Sequence, residues 1–508
     1  MIESSPVPTT PTPKMTFRSS GKDILSQLPL ALILLMQAIV SLLTLRNTAF
    51  QDEALYLLAG KEIVLSWQGK VSYLEPYGSY FSGYPSFYPV IGGLLASLGG
   101  LEAARLFSLL CMLIVTICVY FVTIEFFDRK SALIAAFFFA CEGSVLFVGR
   151  LATYDSLCFC LLALAMMLCL RASKAVSARS LLGLGPLLVL AVAAKYAGLL
   201  FIPSVLALLA WWSWQHKGSE EMIVRPALGI FSLVVVGFIA YQSLDQQVLT
   251  GLSFTTTNRS SFIGTPPLQV LQHILTMEGI FFALTVLGLC FCGKQRLPGG
   301  LILLSSALLV PFYHTYKGEM VSLDKHLAFS MFFLAPLAGF AIVSLVALCW
   351  KRLVALAWGV ALALCLLALP LGMQQARNLF ADWPSSTQLI ALLQPRVHRG
   401  NGHYLIEDYD VSRYYLQNET DIWEWTSLDY FVYTDKARHN LSGDNAYKAA
   451  IKEGYFDLIE LSYGYHAGLS MQLEQTLTAS KQYDFVGKVP FHNAYGDGYY
   501  WLWKKHSS

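Results

Sequence analysis

The chain has 508 residues, of which 55% are hydrophobic and only 13% are charged, and its formal net charge is +2. With a mean hydropathy of +0.52, it is too apolar for an ordinary soluble protein, and its apolar runs reach the roughly 20 residues that cross a bilayer. The sequence therefore predicts a polytopic α-helical membrane protein. The balanced charge gives no reason to expect a nucleic-acid partner.

The N-terminal residues 1–22 are rich in Pro, Thr and Ser and carry the basic residues Lys14, Arg18 and Lys22. This composition is typical of a disordered tail. Because the tail is basic and precedes the apolar run 28–45, we expect it to be cytoplasmic and the run to act as an uncleaved signal anchor.

We expect about eleven transmembrane helices in a membrane domain over residues 23–373. The predicted spans are 28–45, 103–127, 131–149, 156–171, 180–195, 196–214, 227–245, 269–293, 298–316, 327–350 and 353–372.

The basic connections fall on the same side as the N-terminus when the spans are threaded alternately. By the positive-inside rule this side is the cytoplasm, in a protein that we expect in the plasma membrane. The loop 46–102 and everything after residue 374 then lie outside the cytoplasm. This assignment of loops to the two sides of the membrane depends on a break near Lys195, because a single crossing over 180–214 would move the later loops to the other side. The basic connections are 128–130, 171–179, 216–225, 294–296 and 351–352.

The last quarter of the chain differs in composition from the membrane domain. Its charge density is higher, and short apolar runs at 403–406 and 456–461 alternate with a helix-like segment at 445–452. The aromatic run 498–503 has the character of a final strand. These features predict a small extracytoplasmic α/β domain over residues 374–508.

An adjacent acid pair, Asp52 and Glu53, lies in the outer loop 46–102 just after the first predicted span. Carboxylates at the mouth of a span are costly unless they face water, a cation or a substrate, so we place the candidate chemistry there. A solvated acidic loop is the alternative. The amphipathic run 54–67 that follows predicts a helix along the membrane surface.

Residues 73–89 of the same loop are dense in aromatic and proline residues, including Tyr84 and Tyr88. Aromatic rings at this density could stack on a sugar, and an interfacial aromatic belt is the alternative. Tyr84 and Tyr88 are therefore candidate substrate contacts.

Three charged residues, Arg150, Asp155 and Lys195, lie at outer ends of predicted spans. Asp155 is a candidate acid, with helix capping as the alternative. The permanent charge of Arg150 suits a phosphate, unless it only pairs with Asp155 between two helices. Lys195 is a second candidate cation, with snorkelling to the interface as its alternative. We expect Arg150 or Lys195 to carry most of the phosphate recognition.

The turn 313–326 places His314, Lys317 and Lys325 on the outer side as well. His314 and His326 with nearby acids could bind a metal, but their spacing matches no strong ligand motif. An ordinary polar turn is the simpler interpretation, so we expect no cofactor and leave a divalent metal open. No glycine-rich phosphate loop, GxSxG elbow or CxxC pair stands out.

Taken together, the motifs resemble those of the protein-mannosyltransferase-like membrane glycosyltransferases, broadly family 39 and its lipid A aminoarabinose transferase relatives. The resemblance is best over residues 46–215. The motifs that carry it are, in chain order, Asp52-Glu53, Gly83-Tyr84-Pro85-Ser86-Phe87-Tyr88-Pro89, Ala104-Arg105-Leu106, Phe127-Asp128-Arg129 and Arg150-Leu151-Ala152-Thr153-Tyr154-Asp155.

The resemblance implies a C-type glycosyltransferase fold, a polyprenyl-phosphate sugar as donor, and Asp52 as the general base on the acceptor. Glu53 and Asp155 would be supporting acids. The aminoarabinose transferases carry a Glu-Lys-Pro element where this chain has residues 83–85, so Lys195 or Arg150 would replace the missing phosphate-binding Lys. The C-terminal quarter shows no motif of the β-trefoil domain of eukaryotic protein mannosyltransferases, which weakens the case for protein O-mannosylation.

These observations favour a cell-envelope glycosyltransferase that moves a hexosyl or pentosyl group from a lipid-phosphate carrier to a lipid, glycan or protein acceptor on the outer face. A transporter or lipid flippase is the main alternative, and a membrane-anchored binding protein is the second. Polar residues on one face and a large outer domain speak against a transporter. The predicted substrate-binding residues are Arg150, Lys195, Tyr84, Tyr88, His314, Lys317 and Lys325.

Overall fold

The structure, a computed structural model, describes residues 21–71, 74–258, 264–349 and 353–506. Most of the predicted N-terminal tail and the predicted basic pair at 351–352 lie outside these residues. The described helices are α1 Gly21–Thr44, α2 Gln51–Trp67, α3 Tyr88–Phe126, α4 Arg129–Cys141, α5 Gly143–Val148, α6 Tyr154–Lys174, α7 Leu184–Ala194, α8 Ile202–Lys217, α9 Glu221–Tyr241, α10 Gln246–Ser253, α11 Pro267–Phe291, α12 Leu297–Ala307, α13 Leu309–Lys317, α14 Leu323–Leu348, α15 Val354–Phe380, α16 Thr387–Leu393, α17 Tyr409–Tyr415, α18 Asp444–Lys452 and α19 Ala467–Ala479.

The predicted membrane architecture is confirmed, although the number of about eleven spans is not. In the described part of the chain, nine helical segments are long and apolar enough to cross a bilayer. The predicted spans 131–149 and 180–195 correspond to shorter helices, α4 with α5 and α7. The nine segments are Gln27–Thr44, Tyr88–Phe126, Tyr154–Lys174, Tyr196–Lys217, Glu221–Tyr241, Pro267–Phe291, Leu297–Lys317, Leu323–Leu348 and Val354–Phe380.

Contacts between distant residues show which helix ends lie together. Glu125, near the end of α3, accepts a hydrogen bond from Lys174 of α6 and lies 2.7 Å from the Nε2 atom of His216 of α8. Gln215 donates a hydrogen bond to the carbonyl oxygen of Gln295, between α11 and α12, at 3.2 Å. These predicted inner connections therefore meet at one end of the bundle.

The helical structure is interrupted at Lys195, as the predicted assignment of loops to the two sides of the membrane requires. α7 ends at Ala194, Lys195 is extended (φ −150°, ψ 128°), and a 3₁₀ turn over Tyr196–Phe201 leads into α8. The outer loop pairs with this break, because the amide of Tyr196 donates to the carbonyl oxygen of Ser82 at 2.8 Å. Residues 180–214 are thus two helical segments and not one long span.

The run 54–67 is helical, as predicted, and nine of the 17 residues of α2 are buried. It packs against α3 on one side and against α17 of the C-terminal domain on the other. The approach to α3 is close at Gly60, where an added Cβ would lie 1.7 Å from the carbonyl oxygen of Pro89. A residue without a side chain is therefore required at this contact.

The C-terminal region is an α/β domain, as predicted. The strands are β1 Tyr404–Ile406, β2 Trp425–Thr426, β3 Val432–Thr434, β4 Asn440–Ser442, β5 Leu458–Leu461, β6 Tyr483–Asn493 and β7 Gly496–Lys505. The main sheet has the strand order β2-β1-β5-β7-β6, in which β1 is parallel to β2 and β5, whereas β7 is antiparallel to β5 and β6. β3 and β4 form a separate hairpin. The predicted boundary at 374 falls inside α15, which continues to Phe380.

Two apolar clusters pack on opposite faces of this sheet, since successive strand residues alternate in direction. Tyr500 and Leu502 of β7 belong to the cluster beneath α16, whereas Trp501 and Trp503 face the cluster that contains residues of α18 and α19.

Hydrogen bonds and an ion pair attach the C-terminal domain to the outer loop. The amide of Ala49 donates to the hydroxyl of Tyr415 at 2.9 Å, and the indole of Trp383 donates to the carbonyl oxygen of Thr48 at 3.0 Å. Arg413 of α17 forms an ion pair with Glu75. The domain therefore lies over the same end of the bundle as α2, which carries Asp52.

Candidate active site

A cavity of about 1800 Å³ lies beneath the C-terminal domain. Helices α2, α8, α11, α13, α14 and α15 contribute to its walls, and Tyr465 and Tyr495 of the C-terminal domain reach its rim. Of the sequence-predicted residues, the cavity brings together Asp52, Lys195, His314, Lys317 and Lys325. Asp155, Glu53, Arg150, Tyr84 and Tyr88 are not among the residues that line it.

Asp52 lies in the first turn of α2 and forms an ion pair with Lys325 in the first turn of α14. The Lys325 Nζ atom is 2.6 Å from Asp52 Oδ2. The Asp52 side chain is 31% exposed and the Lys325 side chain only 8%, so the carboxylate is the partner that is open to the cavity. The ring of Phe50 lies 5.6 Å from the ammonium group and adds a cation–π contact.

Lys195 reaches the cavity from the break between α7 and α8. Its ammonium group donates to Asp155 Oδ1 and lies 5.3 Å from the centre of the Tyr154 ring. The hydroxyl of Thr153 donates to the second oxygen of Asp155 at 2.9 Å. Asp155 is fully buried, so it holds Lys195 at the cavity wall.

Two tyrosines connect these ion pairs. The hydroxyls of Tyr56 and Tyr154 are 2.7 Å apart, and both side chains line the cavity. Burial, with the charge of Asp52, raises the pKa of Tyr56 well above its ordinary value. Tyr56 therefore remains a neutral hydrogen-bonding group. Tyr88 packs edge-on behind both rings and is fully buried, which places it in the core and not at a substrate surface.

Glu53 has a different position from that expected of a supporting catalytic acid. Both of its oxygens bind Arg105, at 2.8 and 2.6 Å, and they also accept the backbone amides of Phe50 and Ala152. The side chains of Glu53 and Arg105 have no exposed surface. Because these bonds join α2, α3 and the 149–153 turn, Glu53 holds elements together beside the cavity.

Arg150 and Tyr84 also lie away from the cavity surface. Arg150 pairs with Glu102 at 2.6 Å and not with Asp155, so neither expected role of Arg150, phosphate ligand or partner of Asp155, matches its position. Tyr84 contributes its backbone amide, which donates to the carbonyl oxygen of Ala193 at 2.7 Å. Of the two cations expected to bind phosphate, only Lys195 lines the cavity.

The 313–326 turn supplies three further groups. The Nδ1 atom of His314 lies 2.7 Å from the carbonyl oxygen of Glu319, and its Nε2 atom lies 2.8 Å from Nδ1 of His326. Lys317 is exposed at the cavity wall, and its ammonium group makes no hydrogen bond or ion pair with any described residue. A bound anion would therefore meet Lys317 without first breaking an ion pair.

Sequence reasoning missed an acidic group in the cavity wall. His273 of α11 lies 2.6 Å from Asp324, and Asp382 follows the end of α15 nearby. Burial, together with the charge of Asp324, raises the pKa of Asp382 to about 6. The sequence did contain one indication of Asp382, because this residue follows the last span just as Asp52 follows the first. Within the described residues, no cluster of three or more His, Cys, Asp or Glu side chains is arranged to hold a metal ion.

The cavity extends from these charged groups into an apolar arm between α8 and the α12–α13 pair. Such a mixture of a polar end and an apolar extension suits an amphiphile with a charged head. The residues that line the arm are Leu199, Leu200, Phe201, Pro203, Ala207, Ile302, Leu309 and Val310.

Residues 87–241 match the dolichyl-phosphate-mannose-protein mannosyltransferase family. Among curated proteins, no sequence gives a significant match.

Several solved structures share the fold. ArnT from Cupriavidus metallidurans in the apo state is 13% identical, with 95% of this chain and 98% of that chain aligned at a TM-score of 0.60. The Archaeoglobus fulgidus oligosaccharyltransferase in the apo form is also 13% identical, with 92% of this chain and 74% of that chain aligned at a TM-score of 0.56.

The mycobacterial arabinofuranosyltransferase AftD is also 13% identical, with 95% of this chain and 42% of that chain aligned at a TM-score of 0.52. The family resemblance found in the sequence and the predicted C-type glycosyltransferase fold are both confirmed. Residues 87–241 thus resemble this family in sequence, and the chain shares the fold of the C-type membrane glycosyltransferases.

Proposed function

We propose that the protein transfers one sugar from a polyprenyl-phosphate carrier to an acceptor hydroxyl on the outer face of the membrane. The observation that carries this proposal is the position of Asp52. Its partly exposed carboxylate lies in one cavity with Lys195, Lys317 and Lys325, and that cavity continues into an apolar arm. A base, cations for a phosphate and a place for a lipid tail are thus within one site.

The donor is assigned from the shape and chemistry of the cavity. Lysines at its polar end suit a phosphate, and the arm between α8 and α12–α13 suits an isoprenoid chain that enters from the bilayer. A second structure of ArnT from Cupriavidus metallidurans contains undecaprenyl phosphate, and its fold matches this chain with a TM-score of 0.57. This supports an undecaprenyl-type phosphate as the carrier, with a hexosyl or pentosyl group as the sugar.

The proposed chemistry needs a base and a charge-stabilising group at the same time. As the acceptor oxygen bonds to the anomeric carbon of the sugar, the bond from that carbon to the phosphate oxygen breaks. Asp52 accepts the hydroxyl proton of the acceptor, and the lysines offset the charge that develops on the departing phosphate. Asp155 acts through Lys195, which it positions. These residues supply the charge stabilisation, so we propose no resident cofactor, and chelation with EDTA should leave the transfer rate unchanged.

The acceptor remains open among lipid, glycan and protein hydroxyls. The C-terminal domain lies over the cavity entrance, and the aromatic side chains Tyr465 and Tyr495 reach the rim. We propose that an acceptor enters between this domain and the membrane domain, from the extracytoplasmic side of the plasma membrane.

The test uses purified protein in detergent with undecaprenyl phosphate carrying a radiolabelled hexose or pentose, and a cell-envelope extract as the source of acceptors. The expected result is protein-dependent release of undecaprenyl phosphate together with labelled acceptor. A flippase would move the labelled donor across vesicles without cleaving it, and a binding protein would retain it intact. Either of these results, with no release for any sugar tested, would contradict the proposed function.

A further inference from the structure

The backbone on both sides of Lys195 is hydrogen-bonded to a short segment of the outer loop that begins at Ser82 and ends at Tyr84. The amide of Tyr84 donates to the carbonyl oxygen of Ala193 at 2.7 Å, and the amide of Tyr196 donates to the carbonyl oxygen of Ser82 at 2.8 Å. One bond is donated by the loop and the other is donated to it, as between two antiparallel strands. The loop segment therefore fixes the path of the chain before and after Lys195.

The spacing of these two bonds gives Lys195 a special position. Between the bonds the loop has one residue, Gly83, whereas the break between α7 and α8 has two, Ala194 and Lys195. Two residues opposite one is the arrangement of a β-bulge, in which the extra residue bends the chain and changes the direction of a side chain. Lys195 is extended at this point, and its side chain lines the cavity. The loop segment thus lies opposite the residue that brings a cation to the cavity.

Only a glycine fits at the centre of this segment. A Cβ atom at Gly83 would lie 2.2 Å from the carbonyl oxygen of Ala194 and 3.0 Å from its carbonyl carbon. Gly83 has no left-handed backbone conformation, so the close approach alone excludes a side chain here. The Ala194 carbonyl belongs to the planar peptide group that ends at the Lys195 nitrogen. A side chain at position 83 would therefore push against the peptide group that carries Lys195.

Two kinds of contact hold Lys195 in place. Its own backbone bonds are local, since its amide donates to the carbonyl oxygen of Ala191 at 3.0 Å and its carbonyl oxygen accepts from the amide of Gly198 at 2.9 Å. The bond of its ammonium group to Asp155 and the contact with Gly83 come from distant parts of the chain. These distant contacts set where the ammonium group lies relative to the rest of the cavity.

We propose that the 82–84 segment of the outer loop, with Gly83 at its centre, is a positioning element that aligns Lys195 with the phosphate of the lipid-linked donor. This inference rests on the proposed function, which it deepens by assigning phosphate binding to Lys195 and its alignment to the loop. The segment has no cationic side chain of its own, so it contributes to phosphate recognition only through Lys195. Gly83 is thus a positioning residue and contacts neither donor nor acceptor.

The test measures the dissociation constants of undecaprenyl phosphate and of the uncharged alcohol undecaprenol with purified protein in detergent. Lys195→Met removes the cation and should raise the dissociation constant of undecaprenyl phosphate about tenfold or more, but not that of undecaprenol. Gly83→Ala should have the same effect to a similar extent, because it displaces the peptide group of Lys195. A general loss of structure would instead weaken the binding of both lipids alike.

A double-mutant cycle separates positioning from an independent effect of the loop. If Gly83 acts through Lys195, the variant with both Gly83→Ala and Lys195→Met should bind undecaprenyl phosphate no more weakly than Lys195→Met alone. Gly78→Ala is the matched control in the same loop. Its Cβ would lie 3.1 Å from the Cβ of Gln247 in α10, away from Lys195, so the affinity should stay at the wild-type value.

Two further variants keep the test decisive if a protein does not fold. Tyr84→Pro removes the amide that donates to Ala193 and serves in place of Gly83→Ala. Lys195→Met leaves the buried Asp155 without its partner, so Lys195→Met combined with Asp155→Asn serves if the single variant is unstable.

Wild-type affinity for undecaprenyl phosphate in the loop variant or in the Lys195 variant would overturn the inference. Losses that add in the double variant, or equal weakening of undecaprenol, would overturn it as well. Absence of donor cleavage by the wild-type protein with every sugar would instead contradict the proposed function, while the binding cycle still tests the loop segment.

Discussion

Asp52 and Glu53 are adjacent in sequence but have different environments. Both lie in the first turn of α2, where successive side chains point about 100° apart around the helix axis. Asp52 faces the cavity and is 31% exposed, whereas Glu53 faces α3 and Arg105 and has no exposed side-chain surface. Position on the helix therefore distinguishes the candidate base from a carboxylate that holds elements together.

Glu53→Gln should reduce stability more than it changes chemistry. An amide removes the buried charge that faces Arg105 and leaves only Glu102, which is 3.4 Å away and 58% exposed, as its carboxylate partner. Breaking a buried ion pair typically costs about 3–5 kcal/mol. We expect a clearly lower melting temperature in detergent. Asp484→Asn, which removes an exposed ion pair with His506, should shift it by much less. Equal and small shifts in the two variants would show that the Glu53–Arg105 pair is not structural.

Glu62 should make stability depend on pH. It is 4% exposed and accepts a hydrogen bond from the hydroxyl of Tyr77 at 2.6 Å. Burial raises its pKa to about 7, so the folded state keeps this proton to higher pH than the unfolded chain does. Stability is therefore lost as pH rises from the ordinary carboxyl pKa to about 7, by roughly 2 kcal/mol between pH 5 and 8.

The Glu62→Gln side chain cannot ionise and keeps an oxygen that accepts the hydrogen bond from Tyr77. This variant should therefore not show the loss of stability that ionisation of Glu62 causes as pH rises. The measurement is the melting temperature at pH 5, 6, 7 and 8 for both proteins. The curve of the variant should fall less steeply with pH than that of the wild type. Parallel curves would mean that Glu62 does not contribute.

At the scale of elements, the N-terminus of α14 connects three parts of the site. Asp324, Lys325 and His326 are consecutive, and they contact His273 of α11, Asp52 of α2 and His314 of α13, respectively. Because one helix end carries all three contacts, a shift of α14 would change the base, the cations and the histidine pair together.

Under the proposed function, we expect the arm between α8 and the α12–α13 pair to bind the lipid tail of the donor. Ala207→Trp places a large ring in this arm, so we expect a higher KM for an undecaprenyl donor and little change for a short geranyl donor. Ile230→Trp, on the exposed face of α9, is the matched control and should affect neither. The same increase in KM for both donors would show that the tail does not occupy the arm.

At the scale of the whole molecule, the location of the C-terminal domain follows from the membrane topology. The domain lies over the same end of the bundle as the candidate site, and the connections that we predict to be cytoplasmic meet at the other end. A reporter that is active only in the cytoplasm, fused after residue 508, should therefore be silent. The same reporter inserted between α3 and α4 should be active. Activity of the C-terminal fusion would reverse the orientation.

Much of the architecture could be predicted because its signals are local. Hydropathy located the nine long apolar segments of the described residues, although it predicted about eleven spans. A single Lys within an apolar run marked the break at Lys195, and aromatic and alternating runs marked β5 and β7. The site was predicted only in part. Whether Glu53 or Arg150 faces a cavity depends on Arg105 and Glu102, which lie about 50 residues away in sequence and meet them only in the folded chain.

The Asp324–His273–Asp382 group was missed for the same reason. Its members come from α11, α14 and the end of α15, and each acid taken alone resembles an ordinary solvated residue at a span end. Contacts over such distances leave no periodic pattern in the sequence.

The most direct measurement of the central claim is the single-turnover rate of undecaprenyl phosphate release from a labelled donor by Asp52→Asn protein. The variant keeps the size of the side chain but cannot accept a proton, so we expect a rate at least about 100-fold below that of the wild type. Its melting temperature should stay close to that of the wild type, and its affinity for the donor should not be weaker. A folded Asp52→Asn protein that releases undecaprenyl phosphate at the wild-type rate would contradict the account.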